Sequence, residues 1–498
     1  MKITEEQKAI IAADGNIRIN AVAGSGKTTT LMEYARVRPE KKILYLAFNK
    51  SVKIEAEKKL HKNKLRNVKV MTAHGLAYSK IAAPRKYQVT NGYKSYGIVE
   101  LLNINSGGES FDTYIIANHV LKMTNLFLNS AKKRVMDIDY MATVIDPNAR
   151  AFVHANYQYI VKLSRILLDK MLNKKIAATH DFYLKLYQQE ARQLPYDIIF
   201  FDEGQDASPV MLDIFFRQKS NKIIVGDTHQ QIYSWRHAVN SLEKANYPTY
   251  NLSSSFRFNQ DIADLAMDTL DIKKMFKEHE RIRINGMGAV GPIKSRAVIA
   301  RTNMNLLEKA IDYVYNQELV DRIYFEGNIE RYTYASEGGS LYDVMNLYYG
   351  NHNMIRDPIL RKMKDIDELE EYIKKTEDGE LDMMRMLVIK YGKDINNIIQ
   401  FIKSKHVEDY EKDTADMIFS TTHRCKGMEY DSVELAEDFI KKETIETILE
   451  DSIPDDSVIA SWNEEVNLLY VAVTRAKSEL VIPDSLLPGE TGETIVLQ

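Results

Sequence analysis

Short apolar runs recur along the chain, and each ends in a polar or glycine-containing stretch. Asn16–Ala21, Lys42–Phe48, Val68–Thr72, Asp197–Phe201, Lys222–Val225, Ser295–Ala300, Asp416–Thr421 and Glu479–Ile482 are four to seven residues long. Runs of that length, rich in Ile, Val, Leu and Phe, predict buried strands. Between them lie segments with apolar residues at helical spacing, such as Thr28–Arg36. The alternation predicts an α/β fold. Two stretches break the rhythm, from Pro84 to about Asn173 and from 303 to 413. Both read as largely helical insertions, the first with Gly107, Gly108 and Pro147 as breaks. The acidic run Asp365–Asp382 inside the second is expected to be a solvated face.

The loops at the strand ends carry the chemistry. The first strand runs into Ala21-Val22-Ala23-Gly24-Ser25-Gly26-Lys27-Thr28 and then a helix. Gly24 and Gly26 lack a Cβ, so the backbone can curl and aim N–H groups at a phosphate. The helix adds its positive N-terminal end. Lys27 places an ammonium beside the β/γ-phosphates, and the Thr28 hydroxyl suits Mg²⁺. The strand Asp197–Phe201 delivers Asp202-Glu203-Gly204-Gln205-Asp206. Asp202 can hold Mg²⁺ and Glu203 can activate a hydrolytic water. Strand alternation is expected to turn the two carboxylates to opposite faces. Gln230 is placed to sense a γ-phosphate, Arg257 to reach it from a second domain, and Arg475 to act as an arginine finger within the chain. Gln7, just upstream of the glycine loop, matches an adenine edge. Phe256 is expected near the base.

Other strand ends suit nucleic acid. Phe48 can stack on a base, and Asn49, Lys50, Thr72 and His74 can hold phosphate or sugar. Trp235 offers a flat stacking surface in the same loop as Gln230. The segment from Lys50 to Lys69 carries eight Lys or Arg against two Glu. That is a local basic patch in a chain whose net charge is only −3.

Composition narrows the class. A chain of 498 residues, 45% hydrophobic and 28% charged, reads as a soluble globular protein of at least two domains. Its single cysteine, Cys425, allows no disulfide within the chain and no cysteine-based zinc site. No stretch approaches a membrane span, and the N-terminus lacks a signal peptide's apolar core. The expected location is cytoplasmic: nucleoid-associated, or in the host cytoplasm if phage-encoded.

Taken together and in order, these motifs resemble superfamily 1A DNA helicases of the UvrD/Rep/PcrA type. They are Gln7, Ala21–Thr28, Leu46–Lys50, Thr72–Gly75, Asp202–Asp206, Gly226–Ala238, Ser255–Arg257, Arg301–Asn303, Thr421–Tyr430 and Asn467–Lys477. Within that group the chain is similar to the helicase region of F-box DNA helicases and their bacterial and phage relatives. Ala47–Ser51, Gly226–Tyr233, Ser254–Phe258 and Trp462–Lys477 carry that likeness. The resemblance implies two RecA-like P-loop motor domains with ATP between them. The first, 1A, spans 1–80 and 171–258 and is interrupted by insertion 1B at 81–170. The second, 2A, spans 259–302 and 414–498 and is interrupted by insertion 2B at 303–413. It implies 3′→5′ movement on single-stranded DNA and at single-strand/duplex junctions, in repair, recombination or replication. Recombinase or replication proteins are candidate partners.

Residue by residue, the resemblance adds Glu429 to the nucleotide site as a ribose contact and His423 to the DNA path. Thr29 stands where several members carry an arginine near adenine, and Phe256 where UvrD-type members carry tyrosine. Ala21 and His237 replace common glycines, and Gly204 an alanine. The motor motifs begin at Gln7, so an F-box adaptor role is not expected to carry over. A further nuclease after Arg475 is not expected. Three rival readings stay open: a translocase that strips proteins and unwinds poorly, an ATP-responsive DNA clamp without turnover, and a metabolic P-loop enzyme indifferent to DNA.

Overall fold

A computed structural model of the chain describes residues 3–105, 111–233, 241–335, 338–451, 454–487 and 495–497. Its strands form two six-stranded sheets. The first contains β1 (Ile17–Ala21), β2 (Ile43–Ala47) and β3 (Val68–Thr72). A two-stranded pair, β4 (Val89–Thr90) and β5 (Ala178–Thr179), lies in the intervening segment. Then β6 (Ile198–Phe201), β7 (Asn221–Gly226) and β8 (Thr249–Leu252) complete the order β3-β2-β6-β7-β1-β8, with every pairing parallel. Short strands β9 (Ser254–Ser255) and β10 (Asn285–Gly286) pair alongside.

The second sheet has β11 (Arg296–Ala300), β12 (Ile323–Phe325), β13 (Met417–Thr421), β14 (Tyr430–Leu435), β15 (Ala476–Ile482) and β16 (Ile495–Leu497). Its order is β12-β13-β11-β14-β15-β16, parallel except for the antiparallel edge β16.

The continuous apolar runs have a direct cause. Parallel sheets are covered on both faces, so every position along a central strand is buried. In β2, Leu44 and Leu46 enter one core, while Ile43, Tyr45 and Ala47 enter the other. In β6, Ile199 and Phe201 go one way and Ile198 and Phe200 the other. The second sheet divides in the same manner: Val298 and Phe419 face one core, and Ile299 and Ile418 face its opposite.

The two interruptions are helical, as expected. The first carries helices Ser95–Leu102, Asp112–Asn129 and Pro147–Leu172 around their own core. Pro147, expected as a break, opens the longest helix at its first turn, where its missing N–H costs nothing and the Asp146 side chain caps Asn148 and Ala149. The second carries Leu341–Tyr348, Ile366–Thr376, Gly379–Tyr391 and Ile395–Lys405. The acidic run Asp365–Asp382 is more than a solvated face. Leu369, Tyr372 and Ile373 are buried, and Glu377 Oε1 accepts the backbone N–H groups of Ile145 (2.8 Å) and Asp146 (3.0 Å) in the first insertion. The signal missed is apolar residues at helical spacing within the charge.

Because the first sheet is parallel, β1, β2, β3, β6 and β7 all end on the same edge. Gly24, Phe48, Thr72, Asp202 and Asp227 therefore emerge side by side, the position where open α/β sheets bind ligands.

Candidate nucleotide site and nucleic-acid path

The turn after β1 has the backbone its glycines allow. Gly24 and Gly26 adopt φ of 74° and 78°, and Gly26 caps helix Lys27–Arg36. A Cβ on Gly24 would sit 2.7 Å from both Arg257 Cβ and Ser255 Oγ, so the loop is pressed against the segment leaving β9. The Gly24 carbonyl accepts the Phe256 N–H (3.0 Å), and the Leu252 carbonyl accepts that of Val22 (3.0 Å). Ala21 and Ala23 are buried, Thr29 is exposed, and the buried Ser25 hydroxyl has no partner among the described residues. Gln7 is buried beside Gly26. Its Nε2 donates to Thr30 Oγ1 (3.2 Å) and its Oε1 accepts the Thr4 N–H (3.0 Å) in a capping box.

Lys27 lies 3.1 Å from Glu203. The alternation argument fails here, because β6 stops at Phe201 and Glu203 takes a left-handed φ of 51°. That turn brings Glu203 to the ammonium, while Asp202 stays close enough for its charge to act on Lys27. The carboxylates are driven apart in acidity. Burial and the neighbouring Glu203 charge raise Asp202 to about 6. Burial also opposes ionisation of Glu203, but Lys27 and Lys426 outweigh it and hold the group at about 2. The Tyr45 hydroxyl, delivered by β2, donates to Asp202 and also bonds Thr28. Thr28 and Asp202, the two expected Mg²⁺ ligands, therefore converge on one phenol. These are hard oxygen donors suited to a Mg²⁺ that keeps most of its waters. Among the described residues no group of three or more His, Cys, Asp or Glu could hold a metal, so a divalent ion here would have few protein ligands.

The second sheet contributes across the cleft. Arg257 Nε donates to Glu429 (2.9 Å) and its Nη1 to the Thr474 carbonyl (2.9 Å), so two expected nucleotide contacts hold each other. Arg475 is buried. It donates to the carbonyls of Val471 (2.9 Å) and Met428 (3.1 Å) and to Thr474 Oγ1 (3.1 Å). Burial lowers it to about 10, with the Arg257 charge adding to the effect. Gln230 Nε2 donates to Asp227 (2.8 Å), which also accepts from the Tyr470 hydroxyl (3.0 Å).

The motif Thr421–Tyr430 supplies Lys426, to which no role was assigned. Its ammonium donates to both Asp206 oxygens (2.7 and 2.6 Å) and to the Gln230 carbonyl. Both charges are buried. Tyr233 was missed as well. Its ring stacks on Phe48 (centroids 6.0 Å apart, planes at 22°), lies 5.8 Å from the His423 ring and sits under the Lys426 ammonium. Its hydroxyl donates to the His423 carbonyl (2.9 Å), and the His423 imidazole meets the Ile232 carbonyl (2.9 Å). Phe48, Tyr233 and His423 thus form a ring ladder between the two sheets. The advance signs of Tyr233 were its place in the motif Gly226–Ala238 and its position two residues before Trp235.

The remaining candidates are placed as follows. Asn49 and Thr72 cap the helices that follow them, accepting from Val52 (2.9 Å) and Gly75 (3.0 Å). His74 is bonded to Asp181 (2.8 Å). Trp235 and His237 lie outside the described residues.

Two family matches cover this architecture. The UvrD/REP helicase N-terminal domain matches residues 3–251, and the UvrD-like helicase C-terminal domain matches 141–485. The chain belongs to the UvrD-like helicase family. It is 29% identical to F-box DNA helicase 1 of Gallus gallus, over 98% of this chain and 49% of that protein. It is 28% identical to F-box DNA helicase protein 1 of Schizosaccharomyces pombe, over 97% of this chain and 58% of that protein. The Gabija protein GajB of Bacillus cereus is 22% identical over 96% of this chain and 94% of its own length. The chain spans about half the length of the F-box relatives. UvrD-like membership agrees with two RecA-like motor domains, one per sheet. Among the described residues no helix is long and apolar enough to cross a membrane.

Proposed function

We propose that this UvrD-like chain is an ATP-dependent single-stranded DNA translocase and DNA helicase that hydrolyses ATP with Mg²⁺. The observation that carries this is the shared cleft. The Lys27–Glu203 pair, the Arg257–Glu429 pair and the Lys426–Asp206 pair all bridge or border it, and the ladder Phe48–Tyr233–His423 crosses it. Lys426 links the two parts, since it holds Asp206 beside the nucleotide carboxylates and covers the Tyr233 ring.

In this reading Lys27 and the loop Ala21–Thr29 hold phosphates, Gln7 and Phe256 border the base, and Glu429 meets the ribose. Thr28 and Asp202 hold Mg²⁺, which supplies charge neutralisation on the phosphates when bound. Glu203, kept ionised by Lys27 and Lys426, takes the proton of the attacking water. Gln230, Arg257 and Arg475 stabilise charge on the transferred group, for which Arg257 leaves Glu429 and Arg475 turns out of its carbonyl pocket. Those exchanges alter the hold of one sheet on the other, and the ladder, with Trp235, Asn49, Thr72 and His74 along the strand, grips or releases bases. The divisions at 80, 170, 258, 302 and 413, movement 3′→5′, action at single-strand/duplex junctions and a task in repair, recombination or replication belong to the same proposal.

The test is ATP hydrolysis by the full chain, with and without single-stranded DNA, beside Glu203→Gln. DNA-stimulated turnover that falls by about 10²-fold or more in the variant is expected. Equal turnover with and without DNA would overturn the motor reading. Unwinding of 3′-tailed but not 5′-tailed duplexes checks polarity, and stimulated turnover with neither unwound points to a protein-stripping translocase.

A further inference from the structure

The first insertion carries a groove unrelated to the nucleotide cleft. It has a volume of about 600 Å³ and lies between helices Pro147–Leu172 and His180–Glu190. Lys162, Arg165, Ile166, Asp169 and Leu172 follow at intervals of three, one, three and three, so they line one face of the longer helix. At a rise of about 1.5 Å per residue that face is about 15 Å long.

The lining combines two properties. Its apolar part is aliphatic and open: Ile166 is 36% exposed and Leu172 50%, with Leu186 opposite. Its polar part is cationic. Lys133, Arg134, Lys162, Arg165 and Lys185 face the single acid Asp169. Lys185 is committed within the fold. Its buried ammonium donates to the carbonyls of Ser130 (2.8 Å) and Lys132 (2.5 Å) and lies 4.7 Å from the Phe127 ring, fixing the turn that carries Lys133 and Arg134. Arg134 pairs with Asp137. Lys133, Lys162 and Arg165 have no carboxylate within ion-pair distance among the described residues.

Single-stranded DNA is a poor match for this lining. Base stacking needs exposed rings, and the two in the groove, Phe127 and Phe182, are buried. An aliphatic trough with unpaired cations along its rim instead complements an amphipathic helix carrying acids beside its apolar stripe. We propose that this groove docks an acidic amphipathic helix of a partner protein, seating its apolar side chains on Ile166, Leu172 and Leu186 and its carboxylates on Lys133, Lys162 and Arg165.

The test uses the full chain and a fluorescein-labelled helical peptide of about four turns, with Leu at i, i+3, i+4 and i+7 and Asp or Glu elsewhere. Saturable binding is expected by anisotropy, weakened at least about tenfold by Ile166→Asp and by Lys162→Glu/Arg165→Glu, and by scrambling the leucines at constant charge. Both variants change exposed side chains, and DNA-stimulated ATP hydrolysis serves as the control for folding. Absence of saturable binding, or binding indifferent to both variants, overturns the proposal. So does loss of oligo(dT) binding in Lys162→Glu/Arg165→Glu with peptide binding intact, which would make the groove a nucleic-acid surface.

Discussion

Tyr45 shows how a candidate site residue hides in an apolar run. Within Lys42–Phe48 it reads as one more buried strand position, and it is buried, with its ring edge-on to Phe200 at 6.2 Å. Only the partner strand reveals that its hydroxyl stands between Thr28 and Asp202. Tyr45→Phe keeps the ring and removes one hydrogen bond to a charged group, a loss of about 1.5–3 kcal/mol. The expected outcome is a folded protein that needs more Mg²⁺ for half-maximal ATP hydrolysis. The acidities set the pH dependence. Asp202, raised from 3.8 to about 6, gains its proton as pH falls through 6, whereas Glu203 at about 2 stays ionised. Half-saturating Mg²⁺ in the wild type should therefore rise between pH 8 and pH 5.5, and rise further in Tyr45→Phe, which removes a bond favouring the Asp202 carboxylate. For stability the signs are opposite. Asp202 binds more protons folded than unfolded, so stability falls as pH rises from about 4 to 6. The Glu203 contribution is complete above about 4.5 and is lost towards 2. That Lys27, Thr28, Asp202 and Glu203 would come together as a candidate site was legible, because phosphate and metal chemistry calls for those residue types directly after a strand. Tyr45 and Tyr233 were not, because a tyrosine in an apolar or turn segment has many uses.

At the scale of elements, strand positions were readable because both faces of a parallel sheet must be apolar, which leaves unbroken runs of Ile, Val, Leu and Phe. Strand order was not, since nothing local to β1 says that β7 and β8 flank it. The same blindness hid the Lys426–Asp206 pair, which joins the loop after β13 to the turn after β6 across 220 positions. Its charges are 8% and 1% exposed. Breaking such a pair leaves a buried charge without a partner, a loss of about 3–5 kcal/mol, whereas removing both charges costs far less. Lys426→Ala alone should lower the melting temperature of the motor unit more than Lys426→Ala/Asp206→Ala does. Calorimetry of the single variants and the double variant measures the coupling. Additive effects would show that the two charges are independently satisfied.

For the whole molecule, His119 is a titratable contact between the insertions, beside the apolar one made by Phe111, Tyr114 and Ile115. It is fully buried in helix Asp112–Asn129, with Nδ1 2.7 Å from the Tyr140 hydroxyl and Nε2 2.9 Å from the Lys375 carbonyl at the end of helix Ile366–Thr376. A carbonyl only accepts, so Nε2 carries the proton and donates to Lys375, and Nδ1 accepts from Tyr140. The neutral ring is thereby complete, and burial lowers its pKa from 6.5 to about 4. Lys122 reaches the Thr376 carbonyl beside it. The folded pKa lies below the unfolded one, so the contribution is whole above pH 6.5 and declines as pH falls towards 4. At pH 5 the loss is about 2 kcal/mol, comparable with a single interdomain hydrogen-bond cluster. Acid should therefore part the two insertions before it unfolds the motor sheets. Cys425 is buried, so cysteines introduced at the exposed Met136 and Met386 accept a dye pair selectively. Energy transfer between them is expected to change between pH 7.5 and pH 5 and to stay constant in His119→Gln, whose amide can donate to Lys375 and accept from Tyr140 without titrating. An identical pH response in the variant would remove His119 from the account and leave the carboxylate Glu377, which receives Ile145 and Asp146, as the group that holds the insertions together.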